Sequence, residues 1–213
     1  MRLADLSERS QVSIATIKYY LREGLLPPGR RVNATQAEYD ESHLRRLRLV
    51  RAMVQVGRIP VATVREVLAQ VDDDSLGPTI RLGAALWALP RATEPEQDDP
   101  AVITARQEVD RMLTRLGWTL AVEIGPLSPV YRELVASVAS LNRLGYPLDA
   151  DDLAPYARQM EHTAIHDLDR MERFPTAVEQ VEAAVASAVL FEPVLLSLRR
   201  LAQEQEATRR FGL

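Results

Sequence analysis

Residues 16–28 read TIKYYLREGLLPP, and Arg30 and Arg31 follow at once. The opening of this stretch fits a short amphipathic helix. Gly24 supplies the left-handed backbone with which helices commonly end. Leu25 and Leu26 suit a core, and Pro27-Pro28 turns the chain away from helix. The arginine pair then stands on a loop. Helix, glycine stop, apolar corner and basic loop, in that order, are the parts of a winged helix-turn-helix that faces DNA.

Working outward, Ser13 is a good N-cap for this helix, and residues 3–9 suit a short helix before it. Residues 30–39 lack helical periodicity and read as a loop or small β-wing. Asp40 can cap a third helix over residues 41–56, stopped by Gly57. Pro60 suits the start of a fourth, in which Val61, Val64, Leu68 and Val71 form one apolar stripe. Asp72-Asp73-Asp74 breaks that pattern before a short apolar helix over residues 76–89. Residues 90–100 hold three prolines amid acidic side chains and read as an exposed linker. Helical spacing returns over residues 102–116, 129–144, 150–174 and 177–207. Leu113 to Leu120 echoes Leu141 to Leu148. Each reads as a helix ended by glycine, at Gly117 and Gly145, with an aromatic residue folding back.

On a helical wheel, Ile14, Ile17 and Leu21 share one face and are the expected anchors. Thr16, Tyr19 and Glu23 share the opposite face with Arg22 beside them, and Lys18 and Tyr20 flank it. Side chains of these kinds can touch base edges while the margins touch phosphates. An ordinary surface helix with a snorkelling lysine has the same appearance. Arg45 and its neighbours add charge on the third helix, where a solvated face is the usual fate of arginine.

The net charge of −4 does not itself suggest nucleic acid. The total hides an asymmetry: residues 1–71 carry 12 Lys and Arg against 7 Asp and Glu, and the rest of the chain 14 against 23. A basic amino-terminal module on an acidic body fits DNA binding by the first alone. Cysteine is absent, which excludes disulfides, zinc-thiolate sites and thiol redox switches. The opening residues carry no processing signature, and the longest uncharged apolar stretch, residues 183–191, is short for a bilayer. The expectation is a cytoplasmic protein without a membrane partner.

Residues 2–71 resemble the DNA-binding domain of the MerR family of transcriptional regulators. The matching text is Leu3-Ala-Asp-Leu6, Val12-Ser13-Ile14 and Thr16-Ile17-Lys18-Tyr19-Tyr20, then Gly24-Leu25-Leu26-Pro27-Pro28, Tyr39-Asp40 and Leu44-Arg-Arg-Leu47, and Gly57 before the helix from Val61 to Leu68. The resemblance implies a homodimer on a near-palindromic operator, which distorts promoter DNA so that RNA polymerase engages it. It points to Ser13, Thr16, Lys18, Tyr19, Tyr20, Arg22, Arg30, Arg31, Tyr39 and Arg45 as DNA-binding residues. Three departures stand out. Lys18 replaces the usual arginine before the tyrosine pair. Ala37 stands where the wing arginine is usual, in Ala34-Thr-Gln-Ala37-Glu-Tyr39. The long dimerisation helix that usually follows is broken at residues 72–78.

The sequence therefore predicts a mostly α protein in three parts: a winged helix-turn-helix over residues 1–71, a short helix and acidic linker over 72–100, and an all-helical domain over 101–213 that binds an effector, dimerises, or both. Without cysteine a soft-metal sensor is disfavoured, and a small organic effector held between helices is expected. Trp118, Tyr131, Tyr156, Met160 and Glu192 are candidate ligand contacts, though each also suits a structural role. Glu192 is read as a buried carboxylate facing a cationic ligand or pairing with Arg199 or Arg200. His162 and His166 share a helix face at a spacing that binds zinc, but no third ligand accompanies them, so no metal or cofactor is expected. No catalytic residues are identified. A DNA-binding protein whose helical domain only dimerises, and an enzyme carried to DNA by its amino-terminal module, are the alternatives.

Overall fold

A computed structural model describes residues 1–33, 36–90 and 98–212. Local signals for helix are honoured at Ser13 and Asp40. Ser13 accepts the Thr16 N–H at 3.1 Å and caps α2, Ile14–Arg22, which follows α1, Leu3–Ser10. Asp40 accepts from the N–H groups of Ser42 and His43 and caps α3, Glu41–Arg51. The wing is a two-stranded antiparallel hairpin, β1 Arg30–Arg31 and β2 Ala37–Glu38, with Arg30 opposite Glu38. Part of the expected wing text, Ala34 and Thr35, lies outside the described residues, as does most of the linker.

The third helix ends in a π-helical turn, Ala52–Val56, before α4, Val61–Val71. After it the acidic triplet makes a built corner. Asp72 pairs with the buried Arg46, Asp73 caps Ser75, and Asp74 pairs at 3.0 Å with the buried Arg81 of α5, Pro78–Trp87.

The chain divides into two compact units: residues 1–89 with 171–213, and residues 90–170. The last helix, α10, Ala177–Phe211, thus belongs with the amino-terminal helices, whereas the sequence placed it in one domain with the helices before it. Its first half contributes Val181, Val185 and Val189 to the core that holds Leu6, Ile17, Leu47, Met53 and Val64. Beyond Phe191 it stands largely bare, with Val194, Leu196, Leu198 and Leu201 exposed. By length and composition alone α10 could cross a membrane. Its packing on the first unit supplies another reason for the apolar positions in its first half.

The second unit comprises α6 Pro100–Leu116, α7 Thr119–Ile124 with a 3₁₀ turn Gly125–Leu127, α8 Pro129–Arg143 and α9 Ala150–Met171. The sequence reading lacked α7, which has no side-chain cap and no buried residue to mark it. The two echoed helix ends are the same motif. Gly117 and Gly145 adopt φ of 72° and 81°. The Trp118 and Tyr146 N–H groups reach back to Leu113 and Leu141 carbonyls at 3.0 Å each. Past Arg158, α9 has no buried residue and exposes Met160, Ile165 and Leu168.

Candidate DNA-reading surface

The start of the surface is the turn after α2. Gly24 takes φ of 72°, and the Leu25 N–H bonds the Tyr20 carbonyl at 2.9 Å. That closure drops Leu25 and Leu26 into the core, both about 1% exposed. Gly29 then lets the chain pass close to the hairpin. A Cβ there would lie 2.7 Å from the Glu38 carbonyl oxygen and 2.9 Å from the Tyr39 ring. Beside it, Tyr39 exchanges two backbone hydrogen bonds with Met1, at 2.7 and 2.8 Å.

The orientation of α2 departs from the helical wheel. Ile17 and Tyr20 are its buried residues, while Ile14 is 41% exposed. The large Tyr20 ring buries more apolar area than Ile14 could, and the turn at Gly24 pins the helix through Tyr20. Rotating the helix to bury Tyr20 brings Ala15, Lys18 and Arg22 outward with Ile14, and leaves Thr16 and Tyr19 half-buried. Thr16 Oγ1 is further occupied by the Ser13 hydroxyl at 2.8 Å. Arg22 sits 5.4 Å from the Tyr19 ring centroid, a cation–π geometry that keeps the guanidinium over the helix surface.

The structure sorts the remaining expected residues by what they touch. Arg31 is exposed, and Arg30 is exposed but paired with Glu38 across the hairpin. Tyr20 and Tyr39 are buried, so their rings serve the core rather than an open face, and burial raises the Tyr20 phenol above its ordinary value. Arg45 is half-buried and ion-paired, 3.0 Å from Glu179 and 3.6 Å from Glu182. Several other cations of the basic module are also structural. Arg9 pairs with Glu41, and Arg51 donates to the Ser10 carbonyl at 2.8 Å. Arg65 clamps the end of α2, donating to the Glu23 carbonyl at 2.9 Å and to its carboxylate at 3.0 Å. Sequence reasoning missed Arg65 because its partner lies 42 residues away and no local pattern marks it.

Of the expected ligand contacts, Trp118, Tyr131, Tyr156 and Met160 lie in the second unit and Glu192 in the first. Trp118 donates from Nε1 to Glu161 at 3.2 Å, and Tyr131 donates to Asp110 at 2.6 Å, both beside the core of the second unit. Burial first, and then Asp110, raise the Tyr131 phenol well above its ordinary value. Tyr156 and Met160 are exposed on α9. Glu192 is exposed on α10 in the other unit; the carboxylate that α10 buries is Glu182, ten residues earlier. Glu192 falls past the last packed turn, so nothing covers it.

Residues 1–71 match the family described as MerR HTH family regulatory protein. An HTH-type transcriptional regulator of Haemophilus influenzae, a ZntR homolog, is 34% identical over 50 residues, which are 24% of this chain and 37% of that protein. The chain thus spans little more than a third of that relative. Heavy metal-dependent transcription regulator 2 of Rhizobium meliloti is 28% identical over 142 residues, 67% of this chain and 91% of that protein. The crystal structure of a Streptomyces coelicolor A3(2) protein, proposed to be a transcriptional regulator, matches with a TM-score of 0.85 and 61% identity, over 100% of this chain and 99% of that one.

Proposed function

The chain belongs to the MerR family of helix-turn-helix regulators, and from that premise we propose that it binds promoter DNA as a homodimer and controls transcription by distorting it. The observation that carries the reading is the outward row of α2. Ala15 gives close approach to a groove floor, and Lys18 and Arg22 stand beside it with the basic hairpin next in the chain. A small residue flanked by cations suits entry of a helix into the major groove, with phosphates at its margins. Arg31 then serves the backbone from the wing, and Arg30 joins it on leaving Glu38. Lys18 and Arg22 replace Thr16 and Tyr19 as the residues best placed for contact.

The dimer is assigned to the bare half of α10. Leu195, Leu198 and Leu201 recur there, the first half-buried and the other two exposed, on a helix of 35 residues. A second copy of the same helix covers them. The helical unit of residues 90–170 is the place for an organic effector, and RNA polymerase meets the protein on the distorted promoter. The metal named for the Rhizobium relative is not carried over: the chain has no cysteine, and among the described residues no three metal-ligating side chains converge. 

The test is binding of the full chain to duplexes from the DNA flanking its own gene, against random duplexes, across a salt series. The expected result is preferred binding to an inverted repeat by a dimer. Lys18→Ala is expected to weaken operator binding markedly, and the pair Arg30→Ala with Arg31→Ala to lower the salt slope by about one to two units. Equal affinity for operator and random DNA in the wild-type chain overturns the proposal.

A further inference from the structure

We infer that Glu182 is a positioning residue: through Arg45 and Arg46 it fixes the direction in which α10 leaves the DNA-binding helices, and so sets which half-site spacing the dimer accepts. The inference rests on the dimer-on-DNA reading above.

The cluster lies inside the first unit. Glu182 is 8% exposed and Arg46 is 7% exposed. The Glu182 carboxylate stands 3.4 Å from Arg46 Nε and 3.6 Å from Arg45 Nε. Arg46 also reaches Asp72 at the end of α4, and Arg45 reaches Glu179 at 3.0 Å, one turn before Glu182. Two adjacent arginines of α3 therefore tie the end of α4 to the first two turns of α10.

This is a poor way to gain stability. A buried ion pair seldom recovers the cost of desolvating both charges. Here burial pushes the Glu182 carboxyl above its ordinary value despite the two guanidinium groups. What such a cluster does supply is direction, because sliding α10 would strand the buried Glu182 carboxylate away from both guanidinium groups, which is costly.

A second fixed point lies two turns along the same face. A Cβ on Gly57 would come 2.6 Å from Val189 Cγ1 and 2.9 Å from the Met53 carbonyl oxygen, so α10 sits against bare backbone there. The π-helical turn at Ala52–Val56 shapes that seat, with the Gly57 N–H bonding the Ala52 carbonyl at 2.9 Å. One fixed point leaves a helix free to swing, and two define its axis. With the axis defined, the bare half that meets the second copy holds the two α2 helices at one separation.

The experiment selects inverted repeats from a library in which only the centre-to-centre spacing varies. It uses the full-length wild type, Glu182→Gln, and the double variant Glu182→Leu with Arg46→Met. The double variant removes the two buried charges while keeping volume, and leaves Arg45 paired with Glu179 and Asp72 largely exposed, so the fold should survive. Oligomeric state and affinity for a single half-site are measured alongside. The wild type should prefer one spacing. In the double variant the preference should fall by about fivefold or more, with dimerisation and half-site affinity kept. Glu182→Gln should show a smaller loss in the same direction, and it carries the test should the double variant not fold. Unchanged spacing preference in folded, dimeric variants overturns the role of Glu182 alone. A wild type with no preference for inverted repeats overturns the dimer reading and this inference with it.

Discussion

The cores of the two units differ in the size of the side chains that fill them. The first buries Leu6, Ile17, Leu25, Leu26, Leu47 and Met53 almost completely. The second holds its helices together with small side chains: five of the twelve residues in its core cluster are alanine, at positions 105, 139, 150, 154 and 157. Met112, Leu113 and Leu153 fill the rest of it with valines, while Leu120, Leu127, Leu144, Tyr146 and Tyr156 stand exposed. Interdigitated large side chains hold a surface still, as a DNA-reading face requires. Alanine lets helix backbones approach closely but buries little area per residue. The contrast is one of side-chain size in the two cores, since both units also expose large apolar residues, Val194 to Leu201 of α10 among them in the first.

The contrast is testable because each unit holds one tryptophan, Trp87 in the first and Trp118 in the second. Single-tryptophan variants then report each unit separately in denaturant. The largest effect is expected from removing volume where side chains interdigitate. Leu47→Ala should lower the stability of the first unit by about 2–5 kcal/mol. A loss under about 1 kcal/mol, read on Trp87, would mean that this core is as forgiving as the other.

In the second unit the damaging change is added volume. Ala139 is fully buried where α6 and α8 meet closely, so Ala139→Leu should cost about 1–3 kcal/mol. The Trp118 transition should move and the Trp87 transition should stay. Equal movement of both would show that the units unfold as one and that their packing cannot be compared in this way.

How much of this was legible in the sequence differs between the units for a physical reason. Helix starts follow from chemistry within four residues, so Ser13 and Asp40 marked them well. Helix ends at Gly24, Gly117 and Gly145 were as readable, since only a left-handed residue closes them. The family resemblance rested on this same local text. What local text could not carry was the return of α10, more than a hundred residues on, to the amino-terminal core. Without that return, Glu182 reads as a solvated residue and Arg45 as a free cation. The wheel of α2 misled because it took Ile14 as an anchor and set Tyr20 on the flank, whereas Tyr20 is buried and Ile14 exposed.

A smaller effect sharpens the shared part of the two units. Gly117 ends α6 at φ of 72°, and a Cβ there meets nothing within 4 Å. Gly117→Ala should therefore cost only the left-handed backbone, about 1 kcal/mol. The shift should appear on Trp118, which follows it in the motif. A much larger loss would show that the glycine is needed for space as well as conformation.

The smallest effect concerns charge at an exposed cap of the first unit. The Ser42 hydroxyl, then His43, hold the Asp40 carboxyl well below the ordinary aspartate value of 3.8. A carboxyl whose folded value is lowered stabilises the fold above its unfolded value and loses that contribution as pH falls. The affected window therefore opens below about pH 4 and extends downward. Asp40 is largely exposed, so solvent and salt screen the effect, and it should stay below about 1 kcal/mol. Asp40→Asn keeps an N-capping side chain but removes the charge. Denaturation read on Trp87 should show wild type modestly more stable than Asp40→Asn at pH 6, and the gap should close toward pH 2. A gap that stays constant across that range would assign the role of Asp40 to the cap alone and remove its charge from the account.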